Sequence, residues 1–318
     1  MADNDDVVES ENGNGNGNER LIWRDGELIP FGEATIHVLS HAANRGSEVF
    51  DVLRVVETGS GPAVVGLRPH VARFDRSMEL MGMDPPFELA AVERAIAETV
   101  LANPGSAIVK LIAAWSEIAP VTTPLSTTPS IFVAALPSAD GNGLIDRPVS
   151  AQTATMPKIP ASILPPSLKV AASYTPGIRY QLAAAGAGFD DVVFRTIDGG
   201  LAESTTLSLL VVSGERILAP PLDTVLDGIT RRLLVDIAHH DGIPVEVRHV
   251  QWDEVTSADE LILTSTNHFV RPVGRLDDML LDAPGPVACR LAEHLERLVE
   301  GQHPLSQHWL TPLASLVA

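Results

Sequence analysis

Short apolar strand patterns alternate with amphipathic helix patterns along most of this chain, and that alternation limits the possible folds more than any other feature. Residues 107–115 (AIVKLIAAW) and 130–137 (SIFVAALP) are apolar runs between turn residues, which predicts buried strands. Residues 69–82 begin with a proline suited to the first turn of a helix, and residues 87–102 have apolar side chains at helical spacing. The first half therefore predicts a mixed domain of sheet and helices.

The second half repeats this mixture with elements of its own. Its patterns predict strands at 191–200, 207–212, 245–250 and 260–266, and helices at 229–240 and 286–300. A polar, glycine-rich segment at 138–149 separates the halves and predicts an interdomain loop. The expected fold class is α/β (α+β), with a small domain at 21–137 and a large domain at 150–318.

The start of the chain differs from the rest. Residues 1–20 are rich in Asn, Gly and Glu and lack apolar periodicity. Such a segment cannot bury enough apolar surface to offset the entropy of ordering, so we predict a disordered tail. Globular sequence begins at Leu21, where two short apolar runs flank Asp25-Gly26 and predict a β-hairpin.

Composition limits the classes of function. The formal net charge of −19 opposes binding to nucleic acid. No apolar run reaches the roughly 20 residues that span a bilayer, and the acidic start does not resemble a secretory signal. Cys289 is the only cysteine and the histidines lack metal-ligand spacing, so we expect no disulfide and no metal. We therefore expect a soluble, cytoplasmic protein that binds neither nucleic acid nor membrane.

Two local patterns are compatible with covalent and anion chemistry. Lys169 lies in SLKVAASY (167–174), where apolar neighbours favour the neutral amine that attacks a carbonyl group. Gly228, Ile229 and Thr230 lie at the predicted start of helix 229–240, where free backbone N–H groups and the helix dipole attract an anion. Each pattern alone is common in proteins without such chemistry, and their combination in one chain makes them informative.

Together these segments resemble the branched-chain aminotransferase branch of the fold-type IV pyridoxal-phosphate enzymes, within the class IV aminotransferase family. The resemblance runs from about Ile22 to Leu313. It includes the opening segment IWRDGELIPFGEATIHVLSHAANRGSEVFDVLR and the closing segments PVGRLDD and HWLTPL. It implies a two-domain fold-type IV enzyme, pyridoxal 5'-phosphate as cofactor in the large domain, and a homodimer in which a loop of one subunit completes the active site of the other.

The resemblance also implies roles for single residues. Lys169 would carry the cofactor, Tyr174 would hydrogen-bond its phenolic oxygen, and Glu203 would keep its pyridine nitrogen protonated so that the ring withdraws electrons. Ser208 stands where the family usually has asparagine. The phosphate would be bound by the arginine of a His-x-x-Arg motif, by the helix start and by a loop after a strand, which are Arg73, Gly228, Ile229, Thr230, Ser265, Thr266 and Asn267.

The residues predicted to bind the substrate differ from those of the branched-chain enzymes. Two tyrosines that bind the substrate carboxylate in the family are replaced by Arg45 and Ile108, and a family arginine is replaced by Lys110. Arg45 or Lys110 would then anchor the carboxylate through a charge-assisted contact. Phe50 begins FDVL (50–53), a stretch that is similar to the corresponding stretch of (R)-selective amine transaminases. These three residues, Arg45, Phe50 and Lys110, form the predicted substrate site.

The predicted reaction is a ping-pong transamination between a branched-chain-like amino acid or an amine and a 2-oxo acid. Lys169 would hold the cofactor and then transfer a proton as general base and acid. Two alternatives are an (R)-amine or D-amino acid transaminase, and a lyase of the aminodeoxychorismate lyase type on the same fold. A noncatalytic protein with this fold is a further alternative, which the presence of Lys169, Glu203 and both phosphate segments opposes.

Overall fold

The computed structural model describes residues 19–138 and 143–317, and these residues form two compact units. Unit 1 contains residues 19–138, Lys169–Ala172 and 307–317, and unit 2 contains residues 143–168 and 173–306. Unit 1 therefore includes two short segments from the second half of the chain. The mixture of sheets and helices confirms the predicted fold class.

Unit 1 is built on an antiparallel sheet of seven strands. The strands are β1 (Leu21–Arg24), β2 (Glu27–Pro30), β3 (Val49–Thr58), β4 (Gly61–Val65), β5 (Ile108–Ala114), β6 (Ser130–Leu136) and β16 (Leu310–Pro312), in the order β16-β4-β3-β5-β6-β1-β2. The helices are α1 (His41–Arg45), α2 (Leu67–Met81) and α3 (Leu89–Ala102), with 3-10 turns at Phe31–Glu33 and Leu313–Leu316.

The two faces of this sheet differ in burial because side chains alternate along a strand. On β5, Val109, Leu111 and Ala113 are fully buried, and helices α2 and α3 pack against β3 and β6. Lys110 lies on the opposite, half-buried face of β5, opposite Val52 of β3. That face also carries Phe50, whose strand partner is Ile112.

Unit 2 is built on a mixed sheet of nine strands. These are β7 (Val149–Thr153), β8 (Asp191–Arg195), β9 (Leu201–Ser204), β10 (Ser208–Ser213), β11 (Arg216–Ala219), β12 (Val245–Val247), β13 (Glu260–Thr264), β14 (Arg271–Leu276) and β15 (Met279–Leu280). The order is β12-β11-β10-β13-β14-β7-β8-β9, with β15 paired to β14. The helices are α4 (Thr175–Gly186), α5 (Ile229–His240), α6 (Trp252–Thr256) and α7 (Pro286–Val299), and α8 (Ser306–Trp309) follows where the chain passes from unit 2 to unit 1.

Most predicted elements agree with the structure. The helix predicted at 229–240 is α5 without any change of bounds, and the predicted hairpin is β1 and β2 with Asp25 and Gly26 at positive φ. The patterns predict no element for β3, β4 or α4. Helix α4 escapes prediction because its apolar residues do not form one buried face, and only Gly177 and Ala184 are buried.

The observed units differ from the predicted domain bounds in two segments. Lys169–Ala172 belongs to unit 1 because it pairs with β3, through a bridge between Val170 and Val49. The C-terminal strand β16 belongs to unit 1 because it pairs with β4. Both pairings join residues that are far apart in sequence. Domains predicted as single continuous ranges of residues could therefore not include them.

The predicted tail at 1–20 lies outside the described residues except for Glu19 and Arg20. Arg20 is buried, and its guanidinium donates to Ala135 O at 2.7 Å and to Ser106 Oγ at 3.2 Å. Arg20, a residue of the predicted tail, is thus part of the fold, because it pairs with groups that are remote in sequence. Four residues of the predicted interdomain loop, 139–142, also lie outside the described residues. Of the described helices, none has the length and apolar character needed to cross a membrane.

Candidate active site

The backbone around Lys169 is tied to unit 1 on both sides. Lys169 N donates to Ser77 Oγ of α2 at 3.1 Å, and Phe50 N donates to Lys169 O at 3.2 Å. Two residues later, Ala171 N donates to Glu48 O at 2.8 Å. These bonds fix the main chain, so the buried Lys169 side chain starts from a defined position.

Phe50 brings two lysines to one aromatic ring. Lys169 Nζ lies 4.6 Å and Lys110 Nζ lies 5.4 Å from the ring centroid. Lys110 Nζ also lies 3.6 Å from Glu48 Oε1, which balances part of its charge. Two of the three predicted substrate residues, Phe50 and Lys110, are therefore neighbours of Lys169 within unit 1.

Arg45, the third predicted substrate residue, is exposed at the C-terminal end of α1. The next residue, Gly46, has a φ of +61° and comes so close to Ala172 that a Cβ on it would lie 3.5 Å from the Ala172 backbone. Gly46 O also accepts from Ala172 N at 3.0 Å. The structure therefore places the backbone next to Arg45 against the Lys169 segment, and it shows Arg45 Nη1 only 3.4 Å from Asn44 O.

A buried charge cluster of Asp51, His70 and Arg73, the Asp51 cluster, lies in unit 1. Arg73 donates from Nε and Nη2 to the two Asp51 oxygens at 2.8 Å each, and His70 Nδ1 lies 2.7 Å from Asp51 Oδ1. Burial by itself would raise the pKa of Asp51, but Arg73 and His70 hold that pKa well below its ordinary value. Burial lowers the pKa of His70, an effect that Asp51 only partly offsets, so the ring is neutral at pH 7.

The Asp51 cluster gives Arg73 a partner within the protein, in addition to its predicted contact with phosphate. In the sequence Arg73 is predicted to bind phosphate, whereas in the structure its guanidinium binds Asp51 in a bidentate pair. The sequence does not predict the carboxylate partner, because Asp51 is 22 residues away and its strand FDVL shows only alternating polarity. Asp51 therefore fixes the orientation of Arg73, and phosphate binding by Arg73 stays a prediction.

In unit 2, Glu203 lies on β9 with its carboxylate almost buried. It forms an ion pair with Lys158, and Leu226 N donates to both of its oxygens at 3.3 Å. A carboxylate has about four acceptor positions, so these partners leave room for another donor such as a ring N–H. Lys158, which the sequence patterns do not single out, is thus the direct charge partner of Glu203.

Tyr174 stands at the start of α4, where its carbonyl accepts from Gly177 N at 3.0 Å. This first turn packs on the segment after Glu203, because a Cβ on Gly177 would lie 2.5 Å from Thr205 Cγ2. Only glycine allows this approach. The structure therefore holds Tyr174 and Glu203 in neighbouring parts of unit 2.

The two predicted phosphate segments also meet in unit 2. Gly228 is the N-terminal cap of α5, and a Cβ on it would lie 2.7 Å from Ser208 Oγ. Ser208 is at the same time the strand partner of Thr264, the last residue of β13. Ser208 thus joins the helix start at Ile229 and Thr230 to the loop that contains Ser265, Thr266 and Asn267.

Two polar groups near these segments are suited to an anion. Among the described residues, buried Thr264 Oγ1 and Arg231 Nε have no hydrogen-bond partner. Arg231 Nη2 donates to Pro220 O at 2.7 Å, and burial lowers the pKa of this arginine, an effect that Glu203 partly offsets. Buried groups without partners are rare in proteins and call for a ligand or another explanation.

The residues of unit 2 therefore fit the ring and phosphate of a phosphorylated pyridine cofactor. They include a helix N-terminus, an almost buried carboxylate and polar groups without partners among the described residues. Within unit 1, Lys169 has an anchored main chain and a buried side chain. Glycine at position 228 allows Ser208 Oγ to approach the start of α5, because a Cβ there would collide with it. Sequence patterns miss Lys158, Asp51 and Arg231, because each acts through a partner that is distant in sequence or through burial.

Comparisons with known proteins agree with this chemistry. The profile of the amino-transferase class IV family matches residues 48–276, more than half of the chain. A branched-chain-amino-acid aminotransferase from Pseudomonas aeruginosa is 25% identical over 296 residues, which cover 92% of this chain and 96% of the relative.

Solved structures give the same result. The branched-chain amino acid aminotransferase of Thermobaculum terrenum, in its PLP-form (holo-form), has a TM-score of 0.86 and 26% identity over 92% of this chain and 98% of that chain. The branched-chain aminotransferase of Thermoproteus uzoniensis, with norvaline, has a TM-score of 0.87 and 28% identity over 92% of this chain and 99% of that chain. The chain belongs to the class IV aminotransferase family and is a pyridoxal-phosphate-dependent transaminase.

Proposed function

We propose that this transaminase moves the amino group of a branched-chain amino acid to a 2-oxo acid, with Lys169 as the catalytic lysine. The observation that carries the proposal is the setting of Lys169, whose main chain is bonded on both sides and whose amine lies over Phe50. The names of the relatives supply the substrate class, since each of those reported is a branched-chain aminotransferase.

Pyridoxal phosphate, when bound, supplies an aldehyde that exchanges amino groups and a ring that withdraws electrons from the reacting carbon. Lys169 would hold that aldehyde through its amine and, once released, would move a proton at the substrate α-carbon as general base. Glu203 would accept a hydrogen bond from the ring nitrogen, and Tyr174 would donate one to the phenolic oxygen. Lys158 keeps the buried Glu203 carboxylate balanced while it does so.

Backbone and hydroxyl donors of unit 2 would bind the phosphate, and the resemblance adds Arg73 as a further predicted donor. The start of α5, with Gly228, Ile229 and Thr230, offers N–H groups and the positive end of the helix dipole. The loop residues Ser265, Thr266 and Asn267 lie beyond the strand end that Ser208 links to Gly228. Such a site favours a dianion over a neutral group, which gives affinity for the phosphorylated cofactor.

The test is a half-reaction panel with the purified, cofactor-loaded protein. L-leucine, L-isoleucine and L-valine are each compared with D-leucine and (R)-1-phenylethylamine, and the loss of the absorbance of the aldehyde form is followed. We expect conversion by the three L-amino acids and slower or no conversion by the others. Conversion by (R)-1-phenylethylamine alone would reject the branched-chain proposal.

A chemical label identifies the lysine independently of substrate. Borohydride fixes the cofactor to the amine that holds it, and peptide mapping then locates that amine. We expect the label on Lys169. A label on Lys110 or Lys158 would remove Lys169 from its role.

We also propose a homodimer. Its support in unit 1 is a group of exposed apolar residues on two adjoining segments, which are Val38, Leu39, Ile118, Val121 and Leu125. The segments pair through Ser40 and Ile118, and Val38 is 74% exposed. A group of exposed apolar side chains of this kind is typical of an interface.

The dimer test compares two aspartate substitutions by light scattering after size exclusion. Val38→Asp should shift the protein toward monomer, because a carboxylate at an interface loses its hydration. Leu101→Asp, at a 43% exposed site on α3, is the matched control and should keep the wild-type mass. A monomeric wild-type protein would reject the homodimer.

For location we propose the cytoplasm, in keeping with a chain whose one cysteine rules out an intrachain disulfide. Fractionation of cells that express the tagged protein tests this proposal. The protein should follow a cytoplasmic marker enzyme. Recovery with membranes or outside the cell would contradict it.

A further inference from the structure

A histidine and a carboxylate meet at the base of the turn formed by residues 265–268. His268 Nδ1 lies 2.6 Å from Asp146 Oδ2, and a carboxylate can only accept, so Nδ1 donates. Asp146 is fixed in turn, since Asp146 N donates to Val270 O at 2.9 Å and Val270 N donates to Leu144 O at 3.1 Å. The His268–Asp146 pair thus ties the turn to a segment more than a hundred residues earlier in the chain.

The same residue closes the turn through its backbone. Ser265 N donates to His268 O at 2.8 Å, and His268 N donates to Ser265 Oγ at 3.3 Å. Thr266 and Asn267 form the tip between these two residues. The shape of the tip therefore depends on where His268 is held.

A partly buried network continues from the pair toward β9. Arg271 Nε lies 3.9 Å from Asp146 Oδ2, and Arg271 Nη1 lies 3.3 Å from Asp191 Oδ2. Asp191 Oδ1 accepts from Ser204 Oγ at 2.5 Å. Burial raises the pKa of Asp191, and the Ser204 hydrogen bond partly offsets this. Since Ser204 follows Glu203, the network joins the strand of the ring-nitrogen carboxylate to the turn.

We propose that the His268–Asp146 pair positions the cofactor phosphate, by fixing the 265–268 turn so that Thr266 and Asn267 meet the phosphate oxygens. His268 is a positioning residue, since it acts through the turn. This inference rests on the proposed function, because it takes the turn as part of the phosphate site. Local sequence patterns do not reveal the pair, because His268 and Asp146 are 122 residues apart.

The test measures binding of two probes to the full-length apoprotein, pyridoxal 5'-phosphate and pyridoxal, which lacks the phosphate. His268→Ala should raise the Kd of pyridoxal phosphate about tenfold, the effect of one lost charge-assisted hydrogen bond. The Kd of pyridoxal should stay at its wild-type value. His268→Asn should restore most of the affinity, because its amide nitrogen replaces Nδ1 as donor.

Asp146→Ala should match His268→Ala, and the double variant should be no weaker than either single one, as two partners of one bond are not additive. His249→Ala is the matched control, since His249 lies in unit 2, is exposed and is 3.9 Å from Asp223. Thermal unfolding of each apo variant checks that it folds.

The outcomes separate the inference from the proposed function. Wild-type affinity for pyridoxal phosphate in His268→Ala overturns the inference, and so does an equal loss for both probes. A wild-type protein that binds neither probe overturns the proposed function and the inference together. A loss confined to the phosphorylated probe, with rescue by asparagine, supports the inference.

Discussion

Two sets of buried charges in this protein are balanced in different ways. In the Asp51 cluster the carboxylate receives three side-chain hydrogen bonds from Arg73 and His70. In unit 2, the Glu203 region (Glu203, Lys158 and Arg231) contains an ion pair, but Arg231 Nε lacks a hydrogen-bond partner among the described residues. The first set is complete within the protein, whereas the second contains a donor that the protein does not use.

The difference indicates that the two sets of charges have different roles. A complete set of buried charges supports the fold, because removal of one partner leaves the other charged and buried. A buried donor without a partner costs about 1–3 kcal/mol, and a ligand that accepts from it recovers that free energy. We therefore expect substitutions in the Asp51 cluster to change stability, and substitutions in the Glu203 region to change catalysis.

The largest effect is expected at Lys169, where catalysis alone should be lost. Lys169→Met keeps the apolar stem and removes the amine that we propose binds the cofactor and moves the proton. Activity should fall by at least about 10³-fold. Near wild-type kcat with leucine would contradict the assignment. Lys158→Met, at a lysine whose side chain is 24% exposed, should keep part of the activity.

The next effect is expected on stability, in the Asp51 cluster. Arg73→Met leaves Asp51 buried without its bidentate partner and should lower the free energy of unfolding of the apoprotein by about 3–5 kcal/mol. Urea unfolding measures the change. Arg76→Met, on the same helix but 63% exposed, should change it by less than about 0.5 kcal/mol. Equal effects of the two substitutions would contradict the idea that the Asp51 cluster, unlike the Glu203 region, supports stability.

Arg73→Met also tests the predicted phosphate contact. If Arg73 binds the phosphate, cofactor retention should fall by about one to two decades in conditions where the variant is folded. Unchanged retention in the folded variant would restrict Arg73 to the Asp51 cluster.

The pH dependence of stability follows from the same cluster. The pKa of Asp51 is held below its ordinary value of 3.8 in the folded protein, so the folded state binds this proton less well than the unfolded chain does. The stabilisation is therefore complete above pH 3.8 and is lost as the pH falls below that value. Asp51→Asn should therefore reduce the loss of stability at acid pH, which is measured as acid unfolding followed by circular dichroism. An unchanged dependence of stability on pH would contradict this role of Asp51.

Comparison of the sequence with the structure shows which of these features are accessible from local patterns. Helix α5 is predicted to the residue because apolar spacing and a glycine cap are local signals. Lys169 and Glu203 are singled out by resemblance to a family. The Asp51 cluster is not, because its pairing with Arg73 depends on strand β3 packing against helix α2, which no local pattern encodes.

The same limit applies to Lys158 and to the extent of unit 1. Lys158 lies in a segment without regular secondary structure, 45 residues before Glu203, and only the fold brings the two together. The Lys169 segment lies in the second half of the chain and still belongs to unit 1. Functional residues are thus predictable where chemistry is local, and unpredictable where it depends on pairing across the fold.

A smaller effect is expected at Glu203, in catalysis and not in stability. Glu203→Gln keeps the shape and removes the charge that we propose holds the ring nitrogen protonated, so kcat should fall by about 10²-fold while the cofactor stays bound. Glu246→Gln, an exposed glutamate paired with Arg216, is the control and should leave kcat unchanged. Unimpaired kcat in Glu203→Gln would take Glu203 out of the mechanism.

The smallest effect is expected at the substrate end, where Arg45 and Lys110 compete for one role. A carboxylate in a partly buried site needs a cation, and loss of one charged contact should raise KM about tenfold. Lys110 lies over the Phe50 ring, as Lys169 does, but is paired with Glu48, whereas Arg45 is exposed next to the contact of Gly46 with Ala172. The sequence favours Arg45, and the structure places Lys110 at the same aromatic ring as Lys169.

Parallel substitutions decide between them. Arg45→Ala should raise KM for leucine about tenfold and leave a simple amine unaffected. Arg68→Ala, an exposed arginine on α2, is the matched control and should change neither value. If Lys110→Met raises KM for leucine and Arg45→Ala does not, the carboxylate anchor is Lys110. Equal effects of Arg45→Ala on leucine and on the amine would give Arg45 a structural role only, and substrate recognition would then depend on the face of the sheet that carries Phe50.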